Sequence, residues 1–399
     1  MSSDGRHLYV ATHYTIWTFA RDRRSGALRR VRGGRGCIRA HSRQPRCRFA
    51  RAMSGITQIA VSPDGRHVYA AAESSRSITI LRRNAVTGRL TQAPGRRGCI
   101  SQFRGPCSRG HGGFAVPVAL TVSPDGRSVY AGSSVSIGPG DGSVAVLARN
   151  TRSGSLRQAV GAAGCLSDQG DEGCTAARAI ELVSTIISTA DPPSVYVGGR
   201  ATPGKLAVFR RRAGGRLKQL GAERGCVVAR RNVRVRRRLG CGPARGLVQR
   251  GSLVAGPDSR SLYVRHTFDR RLVFRRLRDG SLRQLSGRNG CVSWESGYRC
   301  VVARGFSTPS GGAVSGDGRN VYFGTEHGMA AFRRDPNGAL RQLAGRFGCD
   351  DSFGVGDEGC LLTALETDEG FPKDVVISPD GRHVYMGSPS LIELFRRAP

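Results

Sequence analysis

The sequence predicts an all-β protein, a seven-bladed β-propeller, from three observations: a recurring phrase, a steady spacing between its copies, and a high glycine content. The phrase reads VSPDGRHVYAAA in its clearest form, and its copies begin at Ser2, Val61, Val122, Thr189, Ala255, Val314 and Ile377. The tyrosines of successive copies lie 59 to 67 residues apart, and the chain has 56 glycines for tight turns. Seven β-rich units at one period are typical of seven propeller blades.

Each repeat is interpreted as four antiparallel strands, A to D. In the second repeat the apolar stretch 55–61 is strand A, and residues 67–72 form strand B. Residues 77–83 form strand C, and residues 89–92 form a short strand D. We therefore expect four-stranded blades, with the recurring phrase at the corner between strands A and B.

The strands are joined by sequences typical of hairpin turns. In the A–B turn Pro63 fixes φ, Asp64 can accept bonds from nearby backbone, and Gly65 adopts a positive φ without a Cβ clash. The C–D link Asn84-Ala-Val-Thr-Gly88 follows the same logic. The recurring aspartates are therefore expected to shape turns and not to catalyse a reaction.

The S-P-D-G-R-x-V-Y phrase resembles the YVTN-type repeats of lactonase-like seven-bladed propellers, a family that includes 6-phosphogluconolactonase-like proteins. The resemblance extends over residues 1–399, which we expect to form a single domain. There are seven B and C strands but six A and D strands, so the first and last blades are expected to be incomplete. Because propellers commonly close with a strand from the N-terminus, we expect the natural product to begin upstream of Met1.

The twelve cysteines follow the same period in six local pairs. The pairs are Cys37 with Cys47, Cys99 with Cys107, Cys165 with Cys174, Cys226 with Cys241, Cys291 with Cys300, and Cys349 with Cys360. Metal sites favour close Cys-x-x-Cys pairs, which are absent, so six disulfides in the D-to-A loops are expected. Disulfides persist outside a reducing cytosol, which predicts an extracytoplasmic or secreted protein although no signal peptide precedes the repeats. No apolar run is long enough to span a membrane.

The net charge of +34 is carried almost entirely by arginine. Such a surface attracts an anionic polymer or a small anionic ligand, although an arginine-rich composition without a dedicated partner is the favoured interpretation. One loop concentrates this charge, with Arg230, Arg231, Arg234, Arg236, Arg237 and Arg238 between two cysteines. It is either an anion-binding finger or a solvated loop, and the absence of aromatic residues argues against nucleic acid as a specific partner.

An acidic loop interrupts this basic chain. Its candidate ligands for a metal are Asp350, Asp351, Asp357 and Glu358, and a shorter echo contains Asp168, Asp171 and Glu172. Oxygen-rich loops suit Ca²⁺, but the order does not match an EF-hand. Salt bridges to neighbouring arginines are the favoured role, and no other cofactor is expected.

Lactone hydrolysis needs a general base and an electrophile for the carbonyl oxygen, and the resemblance implies a site in the central pocket. The candidates are His111, Arg178, Glu181, His266, Glu326, His327 and Lys373. None lies in a recognisable catalytic motif. The ends of the C strands repeat an arginine, expected to form a solvated ring of Arg21, Arg82, Arg149, Arg210, Arg275, Arg333 and Arg396.

Two functions follow from these patterns. The first is a monomeric, extracytoplasmic binding module that holds an anionic partner on the face of the disulfide loops, since rigid loops on a propeller scaffold are common binding surfaces. The alternative is a lactone hydrolase, supported by the family resemblance alone.

Overall fold

The structure is a computed structural model of the chain. It describes residues 1–399 except 34–35, 41–46, 104, 135–141, 248, 259, 267–269, 327, 352–359, 363–373, 389–390 and 398–399. Two compact units are distinguished: Met1–Ala201 with Leu206–Gly221, and Thr202–Lys205 with Ala222–Pro399. No helix in the described ranges is long and apolar enough to cross a membrane.

The described residues form seven sheets, and the fold is a seven-bladed β-propeller, as the repeats predicted. Strand A spans Ile56–Val61, Pro117–Val122, Val183–Thr189, Gln249–Ala255, Gly312–Val314 and Asp374–Ile377 in blades 2 to 7. Strand B spans His7–Ala11, His67–Ala72, Ser128–Ser133, Ser194–Gly199, Ser261–His266, Asn320–Gly324 and His383–Gly387 in blades 1 to 7. Strand C spans Thr15–Arg21, Ser77–Arg83, Ser143–Arg149, Lys205–Arg211, Arg270–Arg276, Gly328–Arg334 and Ile392–Arg396.

The remaining strands are short. Strand D spans Leu28–Arg30, Leu90–Gln92, Leu156–Gln158, Leu217–Gln219, Leu282–Gln284 and Leu340–Gln342 in blades 1 to 6. Strand E spans Cys37–Arg39, Cys99–Ser101, Cys165–Ser167, Cys226–Ala229, Cys291–Ser293 and Cys349–Asp351. Strand F spans Arg48–Phe49, Ser108–Arg109, Thr175–Ala176, Gly242–Ala244, Val301–Val302 and Leu361–Leu362. The α-helix is Val233–Leu239, and 3₁₀ turns cover Gly95–Gly98, Gly161–Gly164, Asp171–Gly173, Ala213–Gly215, Ala222–Gly225, Gly287–Gly290, Ser296–Tyr298 and Gly345–Phe347.

Strands E and F extend the four-stranded blade that the sequence predicted. In blade 2 strand D pairs with the last three residues of strand C, while Cys99 and Ile100 of strand E pair with Thr79 and Ile78 near its start. Strand F then pairs with strand E in parallel. Strands D and E thus share one edge of strand C, and the same order recurs in blades 3, 5 and 6.

The A–B turn forms as its residues predicted. Gly65 has a φ of 66°. The Ser62 hydroxyl donates to Asp64 Oδ1 at 2.6 Å, and the Arg66 backbone N–H donates to the same oxygen at 3.1 Å. The aspartate therefore holds the turn, and its second carboxylate oxygen faces outward to another partner.

Buried apolar side chains of neighbouring blades form the core. Tyr69 of blade 2 and Leu147 of blade 3 belong to one cluster. In the second unit Phe306, Phe323 and Phe332 pack edge to face, with ring centroids 5.4 to 5.8 Å apart. Within each unit, neighbouring blades therefore bury apolar side chains against one another, which stabilises sheets that would be marginal alone.

A buried ion pair joins neighbouring blades at the turn end, and we call it the clasp. Arg149 at the end of strand C in blade 3 donates to both carboxylate oxygens of Asp64 in blade 2, at 3.0 and 2.8 Å. Its Nε donates to the Tyr69 hydroxyl at 2.7 Å, and Nη1 donates to the Gly126 carbonyl at 2.7 Å. The Arg149 side chain is 0% exposed, so the clasp satisfies a charge that burial alone would penalise.

The clasp corrects the expectation of a solvated arginine ring. Further clasps pair Asp4 with Arg83, Asp125 with Arg211, Asp258 with Arg334, and Asp317 with Arg397. The expected Arg82, Arg275, Arg333 and Arg396 are exposed, and Arg210 is partly exposed, because each lies one residue before the clasp position. The prediction placed Arg21 and Arg149 correctly, but both are buried and not solvated.

The clasp also perturbs its ionisable neighbours. Burial alone would raise the pKa of Asp4, but hydrogen bonds from Ser2 and Arg83 lower it to about 2. Burial, reinforced by the Arg83 charge, lowers the pKa of His7 to about 4, and His67 beside Arg149 behaves alike. At neutral pH the aspartate is therefore ionised and the imidazoles are uncharged.

Candidate functional site

All six predicted disulfides form. They are Cys37–Cys47, Cys99–Cys107, Cys165–Cys174, Cys226–Cys241, Cys291–Cys300 and Cys349–Cys360, with Cα atoms 4.8 to 4.9 Å apart. Each joins the start of strand E to the segment just before strand F. Six disulfides are typical of an oxidising environment outside the cytosol.

The disulfide loops and the B–C loops lie at the same end of a blade, as predicted. In blade 2 the Ser101 hydroxyl donates to the Arg76 carbonyl of the B–C loop at 2.8 Å, and the Arg76 guanidinium lies 5.0 Å from the Phe103 ring centroid. In blade 5 the Arg270 guanidinium lies 3.6 Å from the Tyr298 ring. The clasps lie at the opposite end, the turn end. The ion pairs between blades and the disulfide loops are therefore at different ends of a blade.

The arginine-rich loop between Cys226 and Cys241 contains a short helix, which the sequence did not predict. The helix Val233–Leu239 ends at Gly240, whose φ is +58° and whose N–H donates to the Arg236 and Arg237 carbonyls. An isolated helix of this length is marginal in water. The glycine cap and the Cys226–Cys241 disulfide hold it in place.

We call residues 230–238 the Arg helix segment. Its exposed arginines are Arg230, Arg231, Arg234, Arg237 and Arg238. Arg236 is partly buried, with Nη1 3.5 Å from Glu223 Oε1. Within the described ranges no carboxylate forms an ion pair with the five exposed arginines. The segment therefore concentrates five cations that form no ion pair with a described residue.

The acidic metal candidates fall largely outside the described residues. Asp357 and Glu358 are among the undescribed positions, and Asp350 and Asp351 lie in strand E of blade 6 with side chains that are not described. In the shorter echo, Asp171 and Glu172 lie in a 3₁₀ turn. No cluster of His, Cys, Asp or Glu suited to a metal occurs within the described part of the chain. A Ca²⁺ site therefore stays a prediction.

His111 and Arg178 occupy equivalent positions before strand A and contact the next D strand. The His111 backbone N–H donates to Gln158 Oε1 at 2.7 Å, and the Arg178 N–H donates to Gln219 Oε1 at 2.9 Å. The imidazole Nε2 of His111 lies 3.1 Å from the Gly161 carbonyl oxygen. Both residues thus take part in the same contact between neighbouring repeats.

The same contact recurs in other blades, where the equivalent position holds an arginine that was not a catalytic candidate. The N–H groups of Arg51, Arg245 and Arg304 donate to glutamines of the following D strand at 2.7 to 2.9 Å. The repeated Leu-x-Gln of strand D is the sequence signal for this contact. This backbone contact gives His111 and Arg178 a structural role. Their catalytic role stays a prediction.

The other catalytic candidates lie in separate loops. Glu326 accepts a hydrogen bond from the Thr308 hydroxyl at 2.7 Å, at the disulfide-loop end of blade 6. Glu181 is partly buried just before strand A of blade 4. His266 ends strand B of blade 5 with a side chain that is not described, and His327 and Lys373 lie outside the described residues.

Sequence reasoning missed two cations in blade 5, the fully buried Arg271 and the partly buried Arg265. They are register partners on strands B and C. The other blades place a small residue opposite an aliphatic one at this position. A strand-by-strand alignment of the repeats would have revealed the exception.

Comparison with known proteins gives one family and several structural neighbours. A family model described as "Lactonase, 7-bladed beta-propeller" matches residues 1–97. All the catalytic candidates lie beyond this matched segment. No curated protein is a significant match.

Several solved structures resemble the chain in fold at low sequence identity. The periplasmic gluconolactonase of Pseudomonas aeruginosa is 18% identical, with 98% of this chain and 92% of that one covered at a TM-score of 0.59. A putative 6-phosphogluconolactonase of Bacteroides fragilis is 15% identical, covering 100% and 92% at 0.59, and one of Bacteroides uniformis is 15% identical, covering 96% and 88% at 0.57. The comparisons confirm the resemblance to lactonase-like seven-bladed β-propellers, in sequence over residues 1–97 and in fold over nearly the whole chain.

Proposed function

We propose that the protein is an extracytoplasmic, monomeric binding propeller that holds an anionic partner on its Arg helix segment. The observation that carries the proposal is the set of five exposed arginines that form no ion pair within the described residues. Guanidinium groups bind carboxylate, sulfate and phosphate through paired hydrogen bonds. The segment therefore has the chemistry of a polyanion site.

Two further features support this function. The Cys226–Cys241 disulfide restrains the segment before binding, which lowers the entropy lost when a partner orders it. The net charge of +34 steers anions toward the protein over distances set by the ionic strength. An acidic polysaccharide satisfies both features, because it presents many anions in series.

The test is binding of fluorescently labelled dextran sulfate to the oxidised full chain, with uncharged dextran as the negative probe. The five exposed arginines are changed to glutamine together: Arg230, Arg231, Arg234, Arg237 and Arg238. We expect the Kd for dextran sulfate to rise at least about tenfold, since each lost contact to a charged group weakens binding.

A matched variant controls for the loss of net charge. It changes five exposed arginines at the turn end to glutamine: Arg23, Arg24, Arg66, Arg127 and Arg152. We expect this variant to bind nearly as the wild type does. Equal loss of affinity in the two variants would mean that the whole charged surface binds without a defined site.

A second candidate, lactone hydrolysis, is favoured by the family match to residues 1–97. It would use the candidates His111, Arg178, Glu181, His266, Glu326 and His327. The test is acid release at constant pH from a panel of sugar and aliphatic lactones. Turnover that is lost in Glu181→Gln or His111→Ala would support the enzyme, whereas rates equal to the buffer reaction would remove it.

A further inference from the structure

Blade 5 differs from every other blade at one cross-strand pair. Arg265 of strand B stands opposite Arg271 of strand C. The corresponding pairs are Ala11–Ile16, Ala71–Ile78, Gly132–Val144, Gly198–Leu206, Gly324–Met329 and Gly387–Ile392. A small residue opposite an aliphatic one is thus the rule, and blade 5 replaces both with cations.

Arg271 is completely buried among neutral groups. Its Nη1 donates to the Ser252 carbonyl at 3.2 Å and to the Ser252 hydroxyl at 2.9 Å. Its Nη2 donates to the Ser310 and Gly311 carbonyls, and the guanidinium lies 4.7 Å from the Phe323 ring centroid. These contacts fix the side chain, but none of the described residues supplies a counterion for its charge.

Arg265 adds a second cation beside the first. It is partly buried, and its side chain makes no hydrogen bond or ion pair within the described part of the chain. The Nε atoms of both arginines are buried and have no acceptor among the described residues. Burial lowers the pKa of each side chain, and the charge of Arg265 adds to the effect on Arg271.

A guanidinium keeps its proton in proteins, so these two groups remain charged at a cost in free energy. Burying a charge without a counterion is unfavourable, and placing a like charge beside it adds repulsion. The clasp arginines avoid this cost because each meets an aspartate. The pair in blade 5 has the donors and charge for an anion that the described residues do not supply.

We propose that Arg265 and Arg271 form a binding site for a small oxyanion, a carboxylate, phosphate or sulfate group. Arg265 can present a two-donor edge to the anion, and the Nε of Arg271, which has no described acceptor, can supply a third donor. Because Arg265 is only partly buried, the anion reaches the pair from the side of Arg265. This site is separate from the Arg helix segment and does not rest on the proposed polyanion binding.

The test is the Tm of the oxidised full chain by calorimetry in sodium acetate, gluconate, phosphate or sulfate at millimolar concentration, against chloride at equal ionic strength. We expect at least one oxyanion to raise Tm by roughly 3–5 °C when it is present at about 100 times its Kd. The acetate and gluconate arms separate a carboxylate from the phosphate and sulfate arms. An unchanged Tm in all four would overturn the proposal.

Two variants locate the effect. Arg265→Ala with Arg271→Ile recreates the pair found in blade 2, and Arg265→Ala alone leaves the buried Arg271 in place should the double variant not fold. We expect both to lose the oxyanion-dependent rise in Tm. The glutamine variant of the Arg helix segment should keep it, which separates this site from the proposed polyanion site. A full rise in Arg265→Ala would contradict the assignment.

Asp269 lies between the two strands in sequence and outside the described residues, so its carboxylate is the competing explanation. Under the proposal, Asp269→Asn keeps the oxyanion-dependent rise. If the rise is absent from the wild type and appears only in Asp269→Asn, the chain neutralises its own arginines and the proposal is wrong.

Discussion

The two ends of a blade treat arginine in opposite ways. At the turn end Arg149 is buried, but it meets Asp64 in two hydrogen bonds, and the same pairing joins other neighbouring blades. At the disulfide-loop end five of the six arginines of the Arg helix segment are exposed, and only the partly buried Arg236 meets a carboxylate within the described residues. The turn end therefore uses its charge to join blades, whereas five arginines at the disulfide-loop end have no described counterion, as the proposed anion binding requires.

Blade 5 combines the two conditions. Arg271 is as deeply buried as Arg149, but its described partners are carbonyls, a hydroxyl and an aromatic ring. The difference shows that burial alone does not identify a structural arginine. A described counterion accompanies the buried Arg149, and the absence of one among the described residues is what motivates the proposed oxyanion site at Arg271.

The largest effect is expected from removing one partner of a clasp. Arg149→Ala removes the guanidinium that neutralises Asp64 and that donates to the Tyr69 hydroxyl and the Gly126 carbonyl. We expect the free energy of unfolding to fall by about 3–5 kcal/mol, the usual cost of breaking a buried pair. Urea denaturation followed by circular dichroism measures it. Exposed Arg152→Ala is the control, and an equal loss in both would show that the clasp does not stabilise the blades.

A smaller loss is expected from opening the Cys226–Cys241 disulfide at the other end. Changing both cysteines to serine frees a loop of 15 residues, which lowers stability by about 3 kcal/mol in the chain-entropy model. The same change should weaken dextran sulfate binding, because the helix loses its restraint. Unaltered affinity for dextran sulfate in this variant would show that the disulfide is not needed for binding.

Acid is expected to weaken the turn end selectively. The pKa values of His7 and His67 are about 4 in the folded protein, compared with 6.5 in the unfolded chain. Below pH 6.5 the unfolded chain therefore binds protons that the folded protein does not, so the free energy of unfolding falls as the pH drops from 6.5 toward about 4. Asp4, with a pKa of about 2 against 3.8, adds a loss below pH 3.8. Both shifts make the protein less stable in acid.

Replacing His7 and His67 should reduce the loss of stability between pH 6.5 and about pH 4. Other blades have serine at the same position, as in Ser128 and Ser194, so His7→Ser with His67→Ser is compatible with the blade. The measurement is the urea midpoint across pH 6.5 to 4. Exposed His13→Ser is the control, and an unchanged slope in the double variant would assign the acid sensitivity elsewhere.

The repeat phrase was sufficient to predict seven blades, their turns and the disulfide pairing, because these features depend on residues close together in sequence. Strands E and F were missed because they are two to four residues long and carry no periodic pattern. The clasp was missed because Asp64 and Arg149 are separated by 85 residues. Its aspartate had been assigned to the turn alone.

The functional surface was predicted less completely for a related reason. The cluster Arg230–Arg238 was visible in the sequence as a run of charge. Its helix was missed because the segment has little helical pattern of its own, and a disulfide and a glycine cap hold the helix in place. The arginines of blade 5 were overlooked because they are six residues apart in sequence and lie on different strands. They become adjacent only when strands B and C pair.

The measurement that most directly tests the binding claim is the salt dependence of dextran sulfate affinity in the wild type and in the two glutamine variants. If each of the five arginines of the Arg helix segment releases about one counterion, as on nucleic acid, the slope of log K against log salt should fall in magnitude by roughly 3 to 4 in the segment variant. The turn-end variant should change it by less than about 1. Equal slopes in the two variants would contradict a defined anion site at the disulfide-loop end.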